Sequence, residues 1–117
     1  MDKSLALAAL SALSNETRLD AFRLLVGAGA NGLAAGAISE RLGVVQNTMS
    51  AHLGVLSAAG LVRHEREGRS IVYSADLDAM QALLTYLMDD CCGRRPELCQ
   101  PLLMRMGDMQ QEETKHG

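Results

Sequence analysis

The sequence predicts a mainly α-helical fold with one small β-hairpin, arranged as a winged helix-turn-helix. Two short helical patterns, 35–42 and 45–59, are joined by a tight connection, which is typical of a helix-turn-helix. A hairpin pattern over 61–74 follows them directly, in the place of a wing. Apolar helices are predicted near both ends, at 4–13 and 76–90, and pairing them across a two-fold axis would bury both in a homodimer.

Composition indicates one folded domain but does not by itself suggest nucleic acid. The chain has 117 residues, of which 48% are hydrophobic, and its formal net charge is −3. Residues 1–75 carry seven Lys or Arg and six Asp or Glu, a net charge of +1, whereas residues 76–117 carry four and eight, a net charge of −4. The acidic residues therefore collect in the last third, and the rest is nearly neutral rather than basic.

The first two helices come before the helix-turn-helix. Residues 4–13 are apolar nearly all round, so we expect this helix to be buried against a second subunit. Ser14 or Asn15 can cap a second helix that runs to about Val26. Its expected inward side includes Leu19, Phe22 and Val26, and Leu24 and Leu25 widen this apolar stripe. A loop is predicted over 27–32 after it.

The stretch 45–59 has the character of a helix that reads DNA. Apolar residues at 45, 49, 53 and 56 share one face, and Gly60 ends the helix. The other face is small or polar and uncharged, which suits entry into a major groove; it consists of Gln46, Asn47, Ser50, Ala51 and Gly54. The alternative is an ordinary packing helix rich in Ala and Ser.

The predicted hairpin has strands at 61–66 and 70–74 and a tip at 67–69. Its position directly after the reading helix favours a wing, whose tip arginine can reach phosphate or the minor groove. The alternative is a solvated hairpin with ordinary surface charge. Three arginines and one histidine lie along it: Arg63, His64, Arg66 and Arg69.

Asp76 or Asp78 is predicted to cap the last long helix, which runs to about Asp90. Its apolar residues recur at i, i+3, i+4, i+7 and i+8, the stripe of an amphipathic helix; they are Met80, Leu83, Leu84, Leu87 and Met88. We therefore divide the chain into a DNA-binding and dimerisation domain, 1–92, and a C-terminal segment with a flexible tail, 93–117.

All three cysteines lie together, as Cys91, Cys92 and Cys99. Gly93 and Pro96 favour an end to the helix, so the backbone can fold back and bring three sulfurs together. Three thiolates without a fourth nearby ligand suit trivalent arsenic, As(III), or Sb(III), because zinc prefers four ligands. We therefore predict that the C-terminal segment, 93–117, binds a metalloid. The alternatives are small core residues, a redox-sensing thiol pair, or a site completed by the other subunit.

No stretch is long enough to span a bilayer, and no convincing signal cleavage site follows the N-terminal apolar run. We therefore expect a cytoplasmic protein, whose odd number of cysteines argues against a structural disulfide framework. Neither a catalytic triad spacing, a phosphate loop nor an HExxH motif is present, so we expect no enzyme and no organic cofactor.

Over about residues 5–90 the chain resembles the ArsR/SmtB family of winged-helix metal-responsive repressors. The most specific part is the stretch that corresponds to the family's recognition helix and the strand after it. The resemblance rests on Asn15–Leu19, Ile38–Gly43, Gln46–Leu53 with Leu56 and Ala59–Val62, and Arg66–Arg69 with Tyr73.

The resemblance implies that the protein binds double-stranded operator DNA as a dimer. By that resemblance Gln46, Asn47 and Thr48 would read bases, Ser50 and His52 would hold phosphate, and Arg69 would lie at the wing tip.

The sequence also departs from the family. The Cys-Val-Cys motif that many arsenic-responsive members carry is replaced by Ala34–Ile38, and the last helix lacks the His ligands of zinc sensors. The three cysteines instead resemble those of arsenical sensors with a C-terminal site, which implies an arsenite-responsive repressor. Two other functions stay open: a repressor controlled by a disulfide between Cys91 or Cys92 and Cys99, and a thiol-rich metal-binding protein without DNA binding.

Overall fold

The computed structural model describes residues 1–91, with side chains through Met88. The chain divides into two compact units, 1–83 and 84–117, and the architecture below is that of the first. Its elements confirm the predicted fold class. In chain order they are α1 (Lys3–Leu13), α2 (Glu16–Ala28), a 3-10 turn (Gly29–Asn31), β1 (Leu33–Ala34), α3 (Ala35–Leu42), α4 (Gln46–Ala58), β2 (Val62–Glu67), β3 (Ser70–Ala75) and α5 (Leu77–Cys91), which continues past Leu83.

Helix α1 buries its small residues and exposes its large ones. Asp2 caps it, with the carboxylate Oδ1 accepting a hydrogen bond from Leu5 N at 2.8 Å. The alanines on one side are buried against α2 and α4, while three leucines point to solvent. Within one chain this helix is therefore buried on one side alone, and burial of its leucines against a second subunit stays a prediction. The buried set is Ala6, Ala9 and Ala12, and the exposed set is Leu5, Leu7 and Leu10.

Asn15 is the residue that caps α2, and its Oδ1 accepts from Arg18 N at 3.1 Å. Phe22 and Leu25 are buried as predicted, together with Ala21, whereas Leu19 and Val26 are exposed, contrary to the prediction. The helix also continues to Ala28, into the predicted loop. Because the buried face includes the small Ala21 rather than Leu19 and Val26, α2 can lie close to its neighbours.

Helix α3 has the predicted bounds, and Gly43 ends it in the left-handed conformation with φ 65°. In that conformation Val44 N donates to Ser39 O at 3.1 Å, which satisfies a carbonyl at the helix end. The turn leads directly into α4 and sets the angle between the two helices. Among the described residues, the Ser39 hydroxyl is a buried polar group without a hydrogen-bond partner.

The hairpin gains a third strand that the sequence did not predict. The sheet order is β1-β3-β2, all antiparallel, and β1 pairs Leu33 with Tyr73 and Ala34 with Val72. Gly32 makes this pairing possible, because it has φ 66° and a Cβ there would collide with the carbonyl oxygen of Tyr73. The sheet is thereby attached to the start of the helix-turn-helix.

The core lies where α2, α3, α4 and the base of the hairpin meet. The largest fully buried side chains are Leu25, Ile38, Met49, Leu53, Leu56, Leu61 and Leu83.

No helix in residues 1–91 is both long and apolar enough to cross a membrane.

Candidate nucleic-acid interface

Helix α4 presents a polar first turn over an apolar, fully buried side. Met49, Leu53 and Leu56 recur at helical spacing and are completely buried. This burial fixes the rotation of the helix and leaves the opposite side in solvent. Five residues that the sequence predicts on or beside that side are exposed: Gln46, Asn47, Thr48, Ser50 and Gly54.

Val45 lies outside the core, contrary to the sequence-based expectation. It is the N-cap of α4, with extended backbone at φ −59° and ψ 138°, and its side chain is 72% exposed. A residue at the N-cap lies outside the helical repeat, so the apolar periodicity that begins at Met49 does not extend back to it. No side chain caps this end of the helix.

His52 is half-buried and bonded to a residue that the sequence analysis did not single out. Arg18 Nη1 lies 3.2 Å from His52 Nδ1, and Arg18 Nε donates to the Ala12 carbonyl at 2.6 Å. One arginine therefore connects the last turn of α1 to α4. The two partners are 34 residues apart, so no local pattern links them.

The wing is a β-hairpin whose two-residue loop carries an arginine at its tip. Glu67 pairs with Ser70, so Gly68 and Arg69 alone form the loop, and Gly68 has the positive φ of 62°. Arg69 is exposed at this tip.

At the middle of the hairpin, His64 contacts both the sheet and α4. Its ring lies 5.9 Å from the Tyr73 ring, and its Nδ1 is 3.0 Å from Ser57 Oγ. These contacts attach the wing to α4.

At its base the wing is also joined to α5 by one carboxylate. Asp76 Oδ1 accepts from Ala79 N at 3.0 Å, which caps α5, and Asp76 Oδ2 lies 3.2 Å from Arg63 Nε. The Ala79 N–H, and then Arg63, hold the pKa of Asp76 below its usual value, although partial burial opposes them. Asp76, rather than Asp78, is therefore the capping residue; Asp78 Oδ2 is 3.6 Å from Arg63 Nη2.

The predicted metalloid ligands fall at the edge of the described structure or beyond it. Cys91 is the last residue of α5, described through its backbone. Cys92 and Cys99 lie outside the described residues, as does the segment 93–117. In the described part of the chain, no group of three His, Cys, Asp or Glu side chains could hold a metal ion.

Comparisons with known proteins agree with this geometry. The helix-turn-helix domain family HTH_20 matches residues 13–65, from the end of α1 into the wing. The nodulation protein NolR of Rhizobium meliloti is 35% identical over 88 residues, which cover 75% of this chain and 70% of NolR. The transcriptional activator HlyU of Vibrio cholerae is 33% identical over 82 residues, which cover 70% of this chain and 73% of HlyU.

Solved structures carry the same fold. An ArsR-like transcriptional regulator from Rhodococcus sp. RHA1 superposes with a TM-score of 0.65 and 25% identity, covering 92% of each chain. The chain belongs to the ArsR family of winged helix-turn-helix transcriptional regulators. Members of this family are DNA-binding regulators and not enzymes.

One further structure bears on assembly. The winged helix-turn-helix DNA-binding domain Mb0332 of Mycobacterium bovis, solved by NMR as a homodimer, superposes with a TM-score of 0.60 and 29% identity. The match covers 74% of this chain and 80% of that domain.

Proposed function

We propose that this ArsR-family regulator is a cytoplasmic repressor that binds operator DNA as a homodimer and is released when As(III), or Sb(III), binds Cys91, Cys92 and Cys99. The observation that carries the DNA-binding part is the first turn of α4. Gln46, Asn47 and Thr48 are exposed there on a helix whose other side is fully buried.

The exposed side chains have the chemistry that base reading requires. Gln and Asn can each donate to and accept from adenine in the major groove, and N-terminal residues of a recognition helix are those that reach base edges. In this proposal Gln46, Asn47 and Thr48 read bases, while Ser50 and His52 hold the phosphate backbone. Arg69 contacts phosphate or the minor groove from the wing.

The dimer is supported by the exposed leucines of α1. Leu5 and Leu7 are 55% and 59% exposed on an 11-residue helix, and the related Mycobacterium bovis domain is a homodimer. Exposed apolar side chains on one helix favour burial against a partner. A two-fold dimer would set two copies of α4 one DNA turn apart. We expect sedimentation equilibrium to give a dimer that Leu7→Asn dissociates, with α-helical content retained; a monomeric wild-type protein would contradict this assembly.

The metalloid part is supported by the chemistry of the donor set. Three sulfur donors match the three-coordinate preference of As(III), and α5 ends at Cys91, one residue before Cys92 and eight before Cys99 in the sequence. Binding there would alter the end of α5. For a typical allosteric coupling of about 1–3 kcal/mol, operator affinity would fall roughly 5–150-fold.

A thiol–disulfide switch is the second candidate, and one observation favours it. A solved structure of HlyU is specifically that of the reduced protein; it is 28% identical and has a TM-score of 0.58. In such a switch Cys91 or Cys92 would form a disulfide with Cys99. The two thiols would give two electrons and two protons to a peroxide, which would be reduced to two hydroxyl compounds.

Fluorescence anisotropy distinguishes these proposals. The DNA is a labelled operator selected from a random library, with the region upstream of the protein's own gene as a second probe. Arsenite is titrated with a phosphine reductant, since thiol reductants compete for arsenite. We expect affinity to fall 5–150-fold, and Cys99→Ser to bind DNA equally but resist arsenite.

Each other outcome has a defined meaning. Release by peroxide and not by arsenite would replace the metalloid inducer with the disulfide switch. Operator binding that persists while arsenite is bound would contradict the proposed mechanism. Absence of any sequence-specific complex would contradict the assignment of α4. The relative HlyU is an activator, so repression is tested separately from DNA binding. In a promoter–reporter assay, deletion of the gene should increase transcription if the protein is a repressor, and a decrease would contradict repression.

A further inference from the structure

We propose that Arg18 is a positioning residue for DNA binding, which holds His52 in the neutral tautomer that offers its Nε2–H to the DNA backbone. The inference rests on the proposed function, in which His52 holds phosphate. It adds a residue outside the helix-turn-helix and a defined protonation state.

The position of Arg18 is determined by three contacts. Its backbone N–H donates to the Asn15 side chain at 3.1 Å, at the start of α2. Its Nε donates to the Ala12 carbonyl at 2.6 Å, in the last turn of α1. Because the guanidinium group is planar and rigid, these bonds also orient Nη1, which lies 3.2 Å from His52 Nδ1.

Hydrogen-bond chemistry then assigns the proton. A guanidinium group can only donate, so His52 Nδ1 must accept, and the ring hydrogen must lie on Nε2. An imidazolium would instead place an N–H against the guanidinium N–H. Arg18 therefore makes His52 a neutral donor, which can bind a phosphate oxygen but brings no positive charge to the DNA.

The tautomer is measured without DNA. In wild-type protein near neutral pH, long-range ¹⁵N–¹H correlation spectra of the histidine rings should show His52 protonated on Nε2 alone. Arg18→Met should remove that preference. His64 is the internal control, because its Nδ1 contacts Ser57 rather than Arg18, and its pattern should not change. A wild-type His52 that is charged, or protonated on Nδ1, would overturn the proposal.

Operator affinity provides the second measurement, with Arg18→Lys and His52→Phe as the variants. Phe keeps a ring in the half-buried site but removes the donor, and Lys keeps the charge but cannot serve two acceptors in the same geometry. We expect His52→Phe to weaken binding about 10-fold and Arg18→Lys about fivefold. In the His52→Phe background, Arg18→Lys should have almost no further effect. If the double variant loses affinity by the product of the two single losses, Arg18 and His52 act independently and the proposal is overturned.

Salt dependence separates a neutral donor from a charge. His52→Phe should leave the slope of log affinity against log salt unchanged, because a neutral donor releases no counterion. Arg69→Gln is the contrasting variant and should reduce the slope by about 0.9 for each wing that contacts phosphate. A reduced slope in His52→Phe would show a charged His52 and contradict the proposal. If wild type binds no DNA while the tautomer is as expected, the proposed function fails and the Arg18–His52 geometry stands without a role in binding.

A second, independent inference concerns Val45: the geometry points to Val45 as a reader of thymine through its 5-methyl group. This inference also rests on DNA binding by α4. Val45 is 72% exposed and directly precedes Gln46 and Asn47. The thymine methyl is the apolar group that the major groove offers, and apolar side chains contact it. Valine is also a poor N-cap, so its presence does not serve the start of the helix.

Replacing thymine with deoxyuridine removes only the methyl group and so tests this inference directly. At the operator position that Val45 contacts, wild type should lose about fourfold in affinity, the value of one buried methyl. Val45→Ala should bind thymine and uracil operators equally. Thr48→Ser is the matched control, since Thr48 carries the other exposed methyl in this turn. Discrimination retained in Val45→Ala, or lost in Thr48→Ser, would overturn the assignment.

Discussion

Helices α1 and α4 are both short, yet they bury side chains of different size. Helix α4 buries Met49, Leu53 and Leu56, and apart from Val55 its exposed residues are small or polar. Helix α1 buries alanines and exposes leucines, of which Leu7 is the most exposed. The size of the residues on the buried and exposed faces therefore distinguishes the two helices.

This inversion separates two tasks. Large buried side chains, as in α4, provide most of the free energy that folds one chain. Small buried side chains, as in α1, allow close approach to α2 and α4 but contribute little buried area. The exposed leucines of α1 are thus available for an interface, and the exposed polar side of α4 is available for DNA.

The largest expected effect comes from the buried face of α4. Leu53→Ala should lower the free energy of unfolding by about 3 kcal/mol, because Leu53 is fully buried and its removal leaves a cavity. Urea titration followed by circular dichroism measures it, at one protomer concentration. Ala51→Ser, on the exposed side of the same helix, is the control and should change little. Equal losses in both variants would remove the distinction between the two faces of α4.

In α1, enlarging a small buried residue should destabilise the fold more than shortening a large exposed residue. In α1, Ala9→Leu should destabilise the fold by about 2 kcal/mol, because Ala9 is 0% exposed and the added atoms must displace α2 or α4. Leu7→Ala removes as many carbon atoms as Ala9→Leu adds, but it should leave the helical fold intact and weaken dimerisation instead. Denaturant unfolding and sedimentation of both variants give the answer, and a larger loss of folding in Leu7→Ala would contradict the inversion.

A smaller effect, of opposite sign, is expected at the start of α4. Val45→Ser should raise the free energy of unfolding by about 1 kcal/mol, because Ser can cap the helix and Val cannot. Val55→Ser is matched to it, being an exposed valine within the helix, and should give no gain. If thermal unfolding shows no stabilisation of Val45→Ser, the start of α4 does not lack a cap that serine can provide, and this prediction is wrong.

The smallest effect concerns Asp76, at the junction of the wing and α5. Its pKa is lowered in the folded state, so its carboxylate stabilises the fold above the unfolded pKa of about 3.9, and this stabilisation is lost as pH falls through the folded value. Asp76→Asn can still cap α5 but carries no charge. The stability difference between wild type and Asp76→Asn should therefore shrink as the pH falls from about 5 to below 3, in parallel denaturant titrations. A difference that grows on acidification would reverse the sign of the shift.

Local signals in the sequence predicted most of the fold. The bounds of α3 were correct because Gly43 adopts the left-handed conformation that ends a helix, and the hairpin tip was nearly correct because Gly68 and Arg69 form a two-residue loop. Strand β1 was missed because a two-residue strand has no periodicity and exists only through its pairing with Tyr73 and Val72.

The candidate site was predicted less completely, for a related reason. The exposed residues of the first turn of α4 followed from helical spacing. Val45 was misplaced because the helix begins one residue after it. Arg18 was missed because its contact with His52 depends on the packing of α1 and α2 against α4, which no local pattern reveals.

Strand β2 also bears on solubility. In the order β1-β3-β2 it lies at an edge of the sheet that residues 1–91 form, and the backbone groups of an edge strand can pair with an edge of another molecule. Five consecutive residues of this strand are exposed, and every one of them is ionisable: Arg63, His64, Glu65, Arg66 and Glu67. Their solvation opposes edge-to-edge aggregation, so the hairpin proposed to approach DNA also keeps the sheet from growing into a polymer.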